Sequence, residues 1–198
     1  MHLTVPVFSI FGTQVRVHFT IFFLFPVLFF HKELIIPISL LFSSIVLHEF
    51  GHVLVARFYK IYTPFVILLP IGGLAMIRSD KKEFLITIAG PAVNLGLFLL
   101  FALLSKMFSS NHIFLLIQEI NIILFIFNLI PAYPLDGGRI LSCFCPKKLC
   151  NIISKFIAII FICMAFYLKS PSIFFIGVFI LLACNIENNE RERIGFEP

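Results

Sequence analysis

Long apolar runs separated by short polar or basic breaks organise this chain, and their lengths predict its elements. Residues 3–17 are too polar, and too interrupted by Pro6 and Gly12, to span a bilayer; the alternation on either side of Gly12-Thr13 predicts a short hairpin or edge segment at an interface. Apolar runs at 18–30, 34–58, 84–104, 113–128, 151–168 and 172–184 predict about six transmembrane helices, the first short and containing Pro26. Between the second and third, residues 63–77 are apolar but broken by Pro64, Pro70, Gly72 and Gly73, which predicts two short strands or a re-entrant loop. An open strand edge cannot face lipid, so this segment belongs at the interface or against the bundle. The fold class expected is an all-α polytopic membrane protein with short interfacial or re-entrant β segments. It forms one domain over 1–198, with an interfacial segment 1–17, a membrane core 18–186 and a charged tail 187–198 that frays in solvent.

The polar positions inside the apolar runs carry the chemistry. His48-Glu49-Phe50-Gly51-His52 reads H-E-x-x-H within the second run. On a helix the two histidines, four residues apart, project from one face and can bind one metal ion. Glu49 beside them can take a proton from an attacking water without being a ligand itself. A chance match to so short a pattern is common in soluble chains. It is less so within hydrocarbon, where polar side chains are costly.

In the third run, Ala89-Gly90-Pro91 predicts a kink, and Gly90 and Gly96 permit close helix packing. Asn94 either points into a cavity or bonds a neighbouring helix. Gln118, Asn121 and Asn128 fall on one face of the fourth helix and turn it inward. Pro131 and Pro134 then force extended backbone ahead of Asp136-Gly137-Gly138. Irregular backbone at membrane depth must be buried in protein or line a watered cavity. Asp136 is therefore a candidate third metal ligand, the other reading being a turn-forming aspartate.

Composition agrees: of 198 residues, 60% are hydrophobic and 13% charged, 27 are phenylalanine, and the mean hydropathy is +1.07, which excludes an ordinary soluble domain. The net charge of +5 comes from basic residues scattered between apolar runs, which points to a bilayer surface and not to nucleic acid. With the N-terminus inside, twelve of the fifteen Lys and Arg residues are cytoplasmic and only Lys32, Lys106 and Lys169 lie outside, so both termini are expected in the cytoplasm. No secretory signal peptide is evident, and the first apolar run is expected to remain as a span. Cys143, Cys145 and Cys150 cluster beside Lys147 and Lys148, but their spacing suits free thiols better than a zinc site.

These residues resemble the site-2 protease family of intramembrane zinc metalloproteases. The resemblance rests on His48-Glu49-x-x-His52 together with Asn128-x-x-Pro131-x-x-Pro134-Leu135-Asp136-Gly137-Gly138, supported by Leu69-Pro70-x-Gly72-Gly73 and Ala89-Gly90-Pro91. It covers roughly residues 15–141 and is greatest to the compact branch that lacks PDZ and CBS domains and includes a sporulation sigma-factor-processing protease. It implies one Zn2+ per chain held by His48, His52 and Asp136, with Glu49 as general base. Asn128, by the same resemblance, holds substrate or orders the site, and Asn94, Gly72 and Gly73 are further candidates for that role. The partner implied is a membrane protein with a transmembrane segment, a membrane-tethered transcription regulator being one such class, within the lipid bilayer of a bacterial cell. Two other readings are a divalent-metal transporter, since intramembrane His and Asp can line an ion path, and a catalytically inactive metal-binding membrane protein.

Overall fold

The computed structural model describes residues 4–10, 12–69, 72–75, 82–108 and 111–193. By contacts the chain divides into two compact units, residues 1–125 and 126–198.

The first unit opens with antiparallel strands β1 (Thr4–Ile10) and β2 (Thr13–His18), reversed at Gly12, whose φ of 83° suits a residue without a Cβ. The hairpin expected here is therefore present. A 3-10 turn (Phe19–Phe23) runs into α1 (Leu24–Phe30), and a second (Lys32–Leu34) leads into α2 (Ile35–Phe58). At the end of α2, Lys60 takes a left-handed conformation (φ 61°) and the Lys60 and Ile61 amides cap the carbonyls of Arg57 and Ala56. The chain then enters β3 (Phe65–Leu69) and β4 (Gly72–Ala75).

The two predicted β segments form a single four-stranded sheet in the order β1-β2-β3-β4. The joining pair is parallel, Val15 opposite Val66 and Val17 opposite Leu68, so α1 and α2 make the crossover that parallel neighbours require. Thr13 Oγ1 donates to the Thr63 carbonyl (2.9 Å), the Gln14 amide donates to that of Pro64 (3.1 Å), and the Arg16 guanidinium lies 4.8 Å from the Phe65 ring centroid. Val15 and Val66 pack with Ile45 and Val53, fixing α2 against the sheet.

After β4 come α3 (Glu83–Met107) and α4 (His112–Asn128). Gln118 Nε2 donates to Ser105 Oγ (2.5 Å), tying these helices together. Pro91 lies buried within α3. Gly96, expected to permit close packing, has no neighbour among the described residues within 4 Å of where a Cβ would stand, whereas Gly90 does.

The second unit contains the end of α4, an irregular turn, α5 (Asp136–Ser142), α6 (Lys147–Leu168) and α7 (Pro171–Arg193). α7 continues helically through most of the segment expected to fray, and residues 194–198 lie outside the described set. Ala132, Leu135, Ala158 and Ile180 form the core of this unit.

Among the described residues, three helical segments are long and apolar enough to cross a membrane: Lys32–Phe58, Glu83–Met107 and Lys147–Leu168. Phe19–Phe30, His112–Asn128 and Pro171–Asn185 are apolar but have 17 residues or fewer, so the expectation of about six spans is met by length in three. The first apolar run falls short because its opening turn is 3-10 and Phe30 is followed by a break at His31. The outer faces are rich in exposed large apolar side chains, among them Leu99 and Leu103 on α3 and Ile152 and Phe156 on α6, which suits lipid contact.

Candidate metal centre

α2 carries a polar row, Ser44, His48 and His52, at a spacing of four, so the three residues occupy one face. His48, Glu49 and His52 are 5%, 6% and 4% exposed. The two imidazoles meet nearly edge to face, centroids 4.8 Å apart, with Nε2 facing Nε2 at 3.1 Å. Two nitrogens each 2.0–2.1 Å from one tetrahedral ion stand about 3.3 Å apart, so the pair matches the bite of a zinc ion. His52 Nδ1 lies 2.8 Å from the Ile86 carbonyl of α3. A carbonyl only accepts, so Nδ1 carries the proton and Nε2 keeps its lone pair for a ligand.

α3 reaches these rings because of two glycines. A Cβ on Gly90 would collide with His52 Nε2 and stand 2.6 Å from His48 Nε2. On α2, a Cβ on Gly51 would stand 2.8 Å from both the Ala89 carbonyl oxygen and Val93 Cγ2. The bare faces at both positions let the helix backbones approach until α3 roofs the histidine pair. Asn94, one turn beyond Gly90, is fully buried.

In the second unit, Asp136 is the first residue of α5 and is 7% exposed. It follows Leu135, which has extended backbone (ψ 159°) and an amide bonded to the Ala132 carbonyl (2.9 Å). A Cβ on Gly137 would collide with the Leu129 and Ile130 carbonyl oxygens, and one on Gly138 would stand 2.6 Å from Tyr133 N. The Asp-Gly-Gly run therefore exists to let the 129–133 turn wrap the start of α5. That turn is pinned where Ser154 Oγ on α6 accepts from the Tyr133 amide (3.0 Å) and donates to the Cys150 carbonyl (2.8 Å). The Tyr133–Pro134 peptide is cis.

Asn128 closes α4, half-buried. Gly72 and Gly73 begin β4, opposite Leu69 and Leu68. Pro70, Ile71 and Met76 to Lys81 lie outside the described residues. Cys143, Cys145 and Cys150 make no metal cluster among the described residues; the Cys143 thiol donates to the Arg139 carbonyl and the Cys150 thiol to that of Cys145. Sequence reasoning missed Gly51 as a packing residue and the Ile86 carbonyl as the partner that orients His52. The glycine's place inside H-E-x-G-H was a readable sign, but a backbone carbonyl leaves none.

A helical chain with membrane-length apolar helices and a buried, oriented histidine pair defines a membrane metal-binding protein. The comparisons sharpen this. The Peptidase family M50 profile matches residues 36–119 and 105–168, and the chain belongs to that family, as the motif resemblance implied. It is 37% identical over 161 residues to a protein of Methanocaldococcus jannaschii named zinc metalloprotease, an alignment covering 75% of this chain and 47% of that protein. It is 34% identical over 111 residues to stage IV sporulation protein FB of Bacillus subtilis, covering 53% of this chain and 38% of that protein. The chain thus spans half or less of the length of these curated relatives. Among solved structures it is similar to the site-2 protease from Methanocaldococcus jannaschii, with a TM-score of 0.71 and 30% identity over 93% of this chain and 94% of that one.

Proposed function

We propose that this chain is a zinc metalloendopeptidase that hydrolyses a peptide bond of a partner protein within or beside the partner's transmembrane segment. The observation that carries the reading is the buried His48–His52 pair, Nε2 atoms facing at 3.1 Å, with Glu49 adjoining it in a helix of membrane length. The names zinc metalloprotease and site-2 protease carried by its relatives support it.

In this reading His48, His52 and Asp136 would hold one zinc ion through two imidazoles and a carboxylate. Burial of Asp136 on a turn braced by Gly137, Gly138 and Ser154 supports its role, because a carboxylate at membrane depth needs a cation or a hydrogen-bonded setting. Zinc, when bound, makes water nucleophilic near neutral pH and polarises the scissile carbonyl. Glu49 takes the proton of the attacking water and returns it to the leaving amine. A helical substrate hides its carbonyls in internal hydrogen bonds and must unwind first. Within the described sheet β4 is paired on one side only, and its free edge, beginning at Gly72 and Gly73, is suited to hold the unwound segment as an added strand. Asn128 orders the site or the substrate. Asn94, fully buried one turn beyond Gly90 on α3, orders the site.

The substrate class is a membrane protein with a transmembrane segment, such as a membrane-tethered transcription regulator. Six spans with both termini cytoplasmic complete the proposal, supported by the distribution of Lys and Arg and by three shorter apolar helices besides the three of full length.

Co-expression with candidate single-span substrates tests the reading. Glu49→Gln is expected to reduce cleavage by about 100-fold or more while zinc stays bound, because Gln keeps the size but cannot accept the proton. Cleavage at the wild-type rate by this variant would refute Glu49 as base. Zinc uptake into reconstituted vesicles with no partner cleaved would point to transport instead.

A further inference from the structure

A cavity of about 220 Å3 lies in the first unit where α2 ends. Its lining combines buried Thr13, Val53 and Thr63 with the exposed residues Arg57, Lys60 and Tyr62. Two of the described lining residues are cations and none is acidic. The wall is fixed by Thr13 Oγ1, which donates to the Thr63 carbonyl (2.9 Å) and so ties the start of β2 to the chain leaving α2. Sites for whole organic ligands run to roughly 300–1,000 Å3, so a space this small suits one compact anionic group.

The cavity's place along the helix says where that anion would come from. The 24 residues of α2 are enough to cross the ~30 Å hydrocarbon core of a bilayer, and Arg57 is its last residue but one, at the level where headgroups begin. Phe58 and Tyr62, 79% and 76% exposed, flank the cations as aromatic residues do at a membrane interface. Lys82, just before α3, lies 5.0 Å from the Tyr59 ring centroid and adds a third cation at this end, against Glu83 in the first turn of α3. The negative end of a helix opposes an anion. Here it is covered, since the Val55, Ala56 and Arg57 carbonyls accept from the Tyr59, Ile61 and Lys60 amides.

We propose that this cavity binds the phosphate of an anionic phospholipid headgroup, Arg57 and Lys60 supplying the charge and the exposed Phe58 and Tyr62 meeting the glycerol and upper acyl chains. A lipid uses both kinds of surface, cationic and aromatic, whereas a free phosphate or an acidic peptide uses only the first. Lys60 also makes the charge separable from the fold. Its left-handed backbone (φ 61°) is one that asparagine adopts readily, so Lys60→Asn removes the ammonium without straining the turn. The inference needs α2 to end at a bilayer surface and is independent of the zinc chemistry above.

Native mass spectrometry of the full chain in a neutral detergent, with phosphatidylglycerol and phosphatidylcholine at equal concentration, tests this. Phosphatidylglycerol should be retained by preference; equal retention would overturn the proposal. Inorganic phosphate that displaces the lipid at matching concentration would mean a free-anion site, and a peptide rich in Asp and Glu that does so would mean a protein-docking site; both contradict it. Arg57→Gln combined with Lys60→Asn should weaken the preference about 10- to 30-fold, about fivefold for each charge. Should that double variant fail to fold, Lys60→Asn alone carries the test at about fivefold. Lys169→Asn removes a lysine of the same left-handed conformation (φ 51°) at the end of α6 and should keep the wild-type preference. Loss of both lipids alike in the Arg57 and Lys60 variants, or an equal loss in Lys169→Asn, would mean that the charges act without a site, against the proposal.

Discussion

The α2–α3 and α6–α7 helix pairs use one packing device for opposite ends. In each, a glycine brings backbones close: Gly51 and Gly90 in the first, Gly177 in the second, where a Cβ would stand 2.8 Å from Ile162 Cγ1 and 3.0 Å from the Ala158 carbonyl oxygen. Gly177 faces the Ile162 side chain and the α6 backbone at Ala158 and Ile162, and the gain is dispersion and burial. Facing Gly90 are two imidazoles, and the approach fixes the orientation of His52 through the Ile86 carbonyl. Close packing thus supplies stability in one pair and ligand geometry in the other, and the residue opposite the glycine decides which.

Substitutions can break this contrast. The largest effect is expected from Gly90→Ala, whose methyl would displace the imidazoles: zinc content should fall and cleavage drop by about 100-fold, the scale of a 1 Å misplacement at a reacting centre. Metal analysis and a substrate assay on the same preparation check this; retained zinc would show that the rings give way harmlessly. Gly137→Ala should act likewise from the second unit, moving Asp136 by forcing the Leu129 and Ile130 carbonyls aside, with metal affinity down about 10- to 100-fold, comparable to loss of an orienting partner. Ser154→Ala removes the acceptor of the Tyr133 amide and should lower stability by about 1–3 kcal/mol in detergent unfolding, with a smaller loss of zinc. Gly177→Ala should cost a similar 1–3 kcal/mol from overpacking yet leave zinc content and KM unchanged. Were Gly177→Ala to lose zinc, the two pairs would not be functionally distinct.

The metal-site pair was legible because its information is local: a spacing of four on a helix is enough to put His48 and His52 together. Asp136 stood out for a related reason, being an acid between prolines and glycines in an apolar chain. The single sheet was not legible, since pairing β2 with β3 joins residues some fifty positions apart and no short-range pattern encodes a parallel register. The bounds of the first apolar run were legible, 18–30 against Phe19–Phe30, but hydropathy did not show that Phe19–Phe23 is wound as a 3-10 turn. Gly96 shows the same limit: a small residue permits approach, but only a neighbour makes use of it.

His52 answers to two masters. The Ile86 carbonyl requires the proton on Nδ1, and a cation at Nε2 requires the same tautomer, so each favours the state that the other needs. Docking of α3 and occupancy by the ion are then thermodynamically linked with positive sign: whatever loosens the helix weakens the grip on the ion, and chelation slackens the helix in return.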